Sequence, residues 1–267
     1  MRTSIASLLA SATMLLAGCT VEPPQDAPTD AITTVPSPVA ADYASVIASP
    51  IRTDQDRAAD PLRKPADMLA FADVRPGMAV FEMLPGGGYF TRLFEQAIGA
   101  EGELVLYAND EFLDKPWKPF DSAQKLAGSF EDGTVGAVHF PLAGPVPDGM
   151  AERFDLVWTS RNYHDFHNAE GFDAKAYNGM VLDLLKPGGV YVVVDHAAPE
   201  GSGASSTNTT HRIEAEQVRR DVVGAGFLYD GASAVLANPN DPRDISVHDP
   251  SVKGDTDQFV LRFRKPG

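Results

Sequence analysis

Residues 80–92 read VFEMLPGGGYFTR, an apolar run that ends in three consecutive glycines and passes at once into a segment with helical spacing. Glycines so placed serve either as a flexible turn or as backbone that a ligand approaches too closely for any side chain to intervene. An apolar strand over 79–83, running into Pro85-Gly86-Gly87-Gly88 and a helix that opens at Tyr89, turns the amides of a helix N-terminus toward the crevice above a sheet. Small molecules bind in such crevices. Glu82 at the strand's end bears on the kind of ligand, because a carboxylate there repels a pyrophosphate and attracts a cationic amine.

The same alternation continues outward from that stretch. Short apolar runs bounded by glycine predict strands at 79–83, 103–108, 135–140, 155–159 and 190–195, and helical spacing predicts helices at 89–98, 119–128 and 171–185 between them. In the last of these helices Tyr177, Val181, Leu184 and Leu185 share one stripe, and Lys186-Pro187-Gly188-Gly189 breaks it with a turn. A further helix is expected over 213–225, with Val218 and Val222 on one face and Gly226 at its C-terminal end. Beyond it, 227–236 and 258–264 alternate like strands with only a Pro/Asp/Asn-rich loop between them, so they should pair antiparallel. On the N-terminal side two short helices are expected, one around 42–48 and one opening at Pro65. The fold class that follows is α/β, a seven-stranded, mostly parallel Rossmann-like sheet with an antiparallel C-terminal strand pair and helices on both faces.

The chain has 267 residues, 43% of them hydrophobic, and a formal charge of −15. That is enough for one ordinary core, and an acidic surface disfavours nucleic acid and anionic lipid as partners. Met1-Arg2-Thr3 precedes an apolar stretch over 5–17 that is too short to span a bilayer and ends in Leu16-Ala17-Gly18-Cys19. This ending resembles the lipobox of bacterial lipoproteins. It implies a signal peptide over 1–18 and an exported protein held in the cell envelope, on the periplasmic side, by lipid on Cys19, its only cysteine. Residues 19–42, with Pro23, Pro24, Pro28, Pro36 and Pro38, read as a flexible tether, and 43–267 as one domain.

VFEMLPGGGYFTRLFEQAIGAEGELVLYAND (80–110) resembles the first motif, first helix and second strand of the class I S-adenosylmethionine-dependent methyltransferases. FDLVWTSRNYHDFHN (154–168) is similar to the fourth strand of that family and the loop after it, LKPGGVYVVVDHAAPEGSG (185–203) to its fifth strand, and HRIEAEQVRRDVVGAGF (211–227) to the helix before its final strand pair. The resemblance implies S-adenosylmethionine as cofactor and methyl transfer to a small molecule or an envelope component. It also implies that Pro85, Gly86, Gly87, Gly88 and Tyr89 surround the methionine part, that Glu82 faces its ammonium group, and that Asn109 or Asp110 takes the ribose hydroxyls. Three positions depart from the family pattern: Asn109 stands where a carboxylate is usual, Leu84 where a glycine is common, and HFPLAGPVP after the third strand offers no acid for the adenine. They keep an alternative in view, a non-catalytic ligand-binding lipoprotein on the same scaffold. A nicotinamide-dependent oxidoreductase is disfavoured by Glu82 and by the terminal strand pair.

Methyl transfer from a sulfonium asks the protein to position the acceptor and, where needed, to take a proton from it. In Arg161-Asn162-Tyr163-His164-Asp165, at the sheet edge where loops carry function, Tyr163 could line an acceptor pocket, His164 could act as a general base with Asp165 beside it, and Asn162 could bind cofactor or acceptor. Asp195-His196 and His211-Arg212 are expected in capping, turn or ion-pair roles. Trp117 and Phe120 could roof an adenine or simply anchor their loop. His164-x-x-His167 with Asp165 and His196 raises a metal reading, but without an HExxH pattern or a cysteine ligand no metal is expected.

Overall fold

The computed structural model describes residues 43–130 and 133–267. The signal segment, Cys19 and the tether over 19–42 lie outside the described residues. Three short helices, α1 (Ala44–Ile47), α2 (Asp54–Arg63) and α3 (Pro65–Phe71), precede β1 (Ala79–Met83), α4 (Tyr89–Ile98), β2 (Glu103–Asn109), α5 (Pro119–Ala127) and β3 (Val135–Phe140). After these come β4 (Phe154–Ser160), α6 (Tyr163–Phe166), α7 (Ala174–Leu184), β5 (Leu185–His196), α8 (Ala215–Gly224), β6 (Leu228–Ser233) and β7 (Gln258–Arg264). The seven strands form one sheet in the order β3-β2-β1-β4-β5-β7-β6. The first five run parallel, and β7 pairs antiparallel with both β5 and β6, as the sequence predicts.

Strands covered on both faces must be apolar on both, and here the two-residue period divides them cleanly. Phe81, Met83, Val157, Tyr191 and Val193 pack on one side with α7 and α8. Val80, Leu156, Trp158, Val192 and Val194 pack on the other, where Trp158 sits 4.6 Å from the ring of Phe90 and 5.3 Å from that of Phe94 on α4. Glu82 has the parity of Val80 and pairs with Leu106 and Trp158, so its carboxylate is forced under α4. From β1 the chain winds through β2 to β3 in one direction, and through β4 to β5 in the other. The crevice between the C-terminal ends of β1 and β4 is therefore the switch point at which open α/β sheets bind ligands.

Three elements differ most from the sequence reading. α2 is not among the predicted helices, because Asp54–Arg63 contains Pro61 and has no apolar stripe. It is set instead by a Thr53/Asp56 capping box and by charge: Arg92 binds Asp56 at 2.6 and 2.8 Å, while Arg52 and Tyr89 bind Asp60. β5 begins at Leu185, five residues before the predicted 190, and α7 begins at Ala174 rather than 171. The expected turn survives as an irregularity inside β5, with Phe154 opposite Leu185, Leu156 opposite Val190, and Gly188 in the left-handed region at φ 77°. Gly188 and Gly189 exchange backbone hydrogen bonds with Lys265 beyond β7, which keeps the bulged segment in the sheet.

The 237–257 loop is fixed by a fully buried ion pair. The Arg212 guanidinium donates to both oxygens of Asp241, at 2.7 and 3.0 Å, and to the carbonyls of Ala197 and Ile245. Removing one partner strands the other charge in the core. Asp241→Asn is therefore expected to lower the unfolding free energy by about 3–5 kcal/mol, read from the urea midpoint.

Candidate functional site

Two cavities, of about 510 and 530 Å³, flank the turn after β1 and share Leu84, Pro85, Gly86, Arg161 and Asn162 as a common wall. Leu84 and Arg161 are in the left-handed region, at φ 47° and 62°. Leu84 thus adopts a backbone that a glycine would take without strain, and the residue changes while the turn persists. Asn162 holds that turn: its side-chain amide donates to the carbonyls of Met83 at 3.1 Å and Leu84 at 3.2 Å.

The first cavity is bounded by Glu82, Gly86, Gly87 and Tyr89 and by Arg63 from α2. Glu82 is buried, and the only hydrogen bond to its carboxylate among the described residues comes from the Thr91 hydroxyl at 2.6 Å. Burial drives its carboxyl up to about 8, against the opposing pull of Thr91, Arg63 and Arg92. The Arg63 guanidinium lies over the ring of Tyr89 at 4.6 Å, and no carboxylate pairs with it among the described residues. Burial is the main cause holding Arg63 below its usual value. Arg63 was invisible to strand and helix periodicity, although the Thr53-x-x-Asp56 capping box could have revealed its helix.

Gly88 lines neither cavity. It caps α4 at φ 79°, and a Cβ there would stand 2.7 Å from Leu126 and 2.8 Å from the Arg92 guanidinium. Its glycine answers to packing and to a left-handed backbone, not to a ligand. Asn109 and Asp110 are likewise absent from both cavities. Asp110 pairs with His139 at 2.7 Å, while Asn109 is fully buried, donates to Glu111 at 3.1 Å and leaves its own side-chain oxygen without a partner.

Around the second cavity the expected residues separate. Tyr163 is in the core, accepting from Asn178 at 2.8 Å, so the acceptor-pocket role expected of it does not fit its placement. His164 and Asp165 do line the cavity, with His196, His211, His248 and Trp117. His164 is nearly closed off from solvent, and its ring Nδ1 and backbone N–H both meet Asp195, each at 2.8 Å. Burial alone would lower the pKa of His164, but the Asp195 and Asp165 carboxylates outweigh it and push the imidazole up to about 10. The two carboxylates thus favour the charged imidazole in the empty site, an arrangement that does not favour the general-base role expected for His164. His196 is the reverse case: burial and the charges of His164 and Arg212 hold it well below its usual value, and it shares a 2.7 Å hydrogen bond with Thr256. Trp117 faces the cavity, whereas Phe120 packs edge-on against His139. His248 comes from a loop in which no sequence pattern marks a ligand-facing residue.

No protein-family model matches the chain. Over 134 residues it is 29% identical to the ubiquinone/menaquinone biosynthesis C-methyltransferase UbiE of Shewanella halifaxensis, a match covering 48% of this chain and 47% of that protein. It is 31% identical over 132 residues to the UbiE of a Marinomonas species, covering 48% and 46%. The chain spans about half the length of the curated relatives it matches. Among solved structures it shares the fold of a SAM-dependent methyltransferase from Aquifex aeolicus, with a TM-score of 0.56 at 12% identity over 84% of this chain and 99% of that one. It also shares the fold of the [4+2]-cyclase SpnF, with a TM-score of 0.52 at 17% identity over 79% and 80%. The sheet is thus that of the class I methyltransferases.

Gly88→Val should lower the melting temperature by crowding Leu126 and the Arg92–Asp56 pair, instead of removing a ligand from an otherwise intact domain; differential scanning calorimetry reads the difference. Glu82 yields a pH prediction of definite sign. Its folded pKa, near 8, lies above the ordinary 4.5, so its contribution to stability is complete below about pH 4.5 and is lost as pH rises toward 8. Glu82→Gln should flatten that part of the stability profile, measured as urea midpoints across the range.

Proposed function

We propose that the domain transfers a methyl group from S-adenosylmethionine to a small-molecule or envelope acceptor. The observation that carries the reading is Glu82, a buried carboxylate with no cation in contact, facing a cavity at the C-terminal end of β1 beside a glycine turn. A cationic ligand would restore its ionised form. Arg63, which lines the same cavity and is unpaired with any acid among the described residues, suits a carboxylate, so the two together fit the zwitterionic end of an amino acid. Gly86 and Gly87 have open space where a Cβ would be, so backbone and ligand can meet there. When bound, the cofactor supplies an electrophilic methyl group. The protein's part is to clamp the Leu84–Gly86 wall through Asn162 and to seat the acceptor in the second cavity, between Trp117 and the His164–Asp165 side. The kinship with UbiE supports an acceptor methylated at carbon, and the lipid anchor expected on Cys19 directs the search for that acceptor to the envelope.

The non-catalytic reading has its own support, since Asp110 is occupied by His139 and Asn109 is closed off, so neither presents an open contact for a ribose. Calorimetric titration with S-adenosylmethionine separates the two. The wild type should bind, and Glu82→Gln and Arg63→Ala should each weaken binding by about tenfold to a hundredfold, the worth of one charge-assisted hydrogen bond. No heat at millimolar cofactor would refute the methyltransferase reading.

A further inference from the structure

The second cavity contains a cluster that seating an acceptor does not explain. His164 Nε2 is 3.3 Å from Asp165 Oδ1, His211 Nδ1 is 3.6 Å from the same oxygen, and the three ligand atoms lie within 4.8 Å of one another. We propose that these three side chains bind one divalent first-row transition ion of the zinc class. Two imidazoles and a carboxylate are the donor set such ions prefer. Bonds of about 2.0–2.2 Å at tetrahedral angles put neighbouring donors about 3.3–3.6 Å apart, so two of the three spacings are already formed. The third closes by a small movement of the His211 ring, which is about one-third exposed.

The surroundings are those of a built site. Asp195, fully buried, accepts from His164 Nδ1 and from two backbone amides, which fixes the ring and leaves Nε2 as the nitrogen facing Asp165. A ligating histidine held through its other nitrogen by a buried carboxylate is the common outer-shell arrangement of metal centres. An ion between Nε2 and the Asp165 carboxylate would displace the proton these two groups share in the empty site and take His211 as a third donor. His211 is turned into the cavity by a left-handed backbone at φ 57°, next to Arg212 in its buried ion pair. The Thr210 carbonyl accepts from Val247 and brings His248, a further imidazole, to 4.9 Å from the His211 ring. The remaining coordination positions open on the cavity, where an anionic oxygen or sulfur of a bound molecule could enter. This reverses the expectation of no metal and replaces its ligand set: His167 turns away to Asp221 at 3.2 Å, and His211 takes its place.

The site stands or falls independently of S-adenosylmethionine. The full chain, without a histidine tag and stripped of metal by a chelator, is titrated with zinc(II) by calorimetry and with cobalt(II) by visible absorption. One equivalent of each should bind, and cobalt should show the intense d–d bands of a four-coordinate ion. His211→Ala and Asp165→Asn should each weaken zinc binding by at least about tenfold, and Asp195→Asn by about 10–100-fold, as outer-shell changes do; His167→Ala should leave it unchanged. His211 and Asp165 are about one-third exposed, so their variants test the site without unsettling the core even if Asp195→Asn melts early. No zinc binding by the wild type, or zinc binding that neither His211→Ala nor Asp165→Asn alters, overturns the proposal.

Discussion

The side-chain amide of Asn162 closes the gap where the sheet reverses its winding. The β1–β4 ladder ends there at Met83 and Thr159, and the carbonyls of Met83 and Leu84 both accept from the one amide group. The left-handed turn at Leu84, the wall between the two cavities and the start of α6 all follow from that clamp. One strand further along, Asp195 does the same for β4 and β5, with its carboxylate taking the His164 ring, the His164 amide and the His196 amide. Two short polar side chains thus tie three strand ends together where backbone pairing has stopped.

The two buried carboxylates at these strand ends are held in opposite ways. Asp195 is surrounded by donors, and that saturation lets it orient a histidine rigidly. Glu82 has one hydroxyl and no contacting cation, an arrangement that costs stability in the empty domain. A protein keeps such a group where something else is to complete it. The contrast matches the orienting contacts of one carboxylate and the recognition role proposed for the other.

Much of this fold was legible because its strands are apolar on both faces and its turns carry glycine or proline. β1, β3, α4 and β7 begin and end where the spacing predicts, and the antiparallel tail follows from the lack of a helix between 236 and 258. α2 was not legible, since a helix fastened by Arg92–Asp56 and capped by Thr53 leaves no hydrophobic period to detect. The site was legible only in outline. Sequence placed Glu82, Gly86, Gly87, His164 and Asp165 at one edge of the sheet. It could not tell that Gly88 faces Leu126, that Tyr163 is in the core, or that two carboxylates favour the charged imidazole of His164, because each of these depends on what a distant segment brings into contact.

The way α2 is attached also bears on how a ligand gets in. Among its residues only Asp56 is buried, and Ala59 and the Arg63 stem over Tyr89 and Phe90 are its contacts with the apolar core, so the helix is held mainly by ion pairs and a cap. Water compensates broken charge pairs far better than it compensates bared hydrocarbon. α2 is accordingly the section of the first cavity's wall that depends least on burial of its own side chains. A molecule too bulky for the first cavity's mouth would have a door there, and Arg63, at the end of that helix, would swing with it.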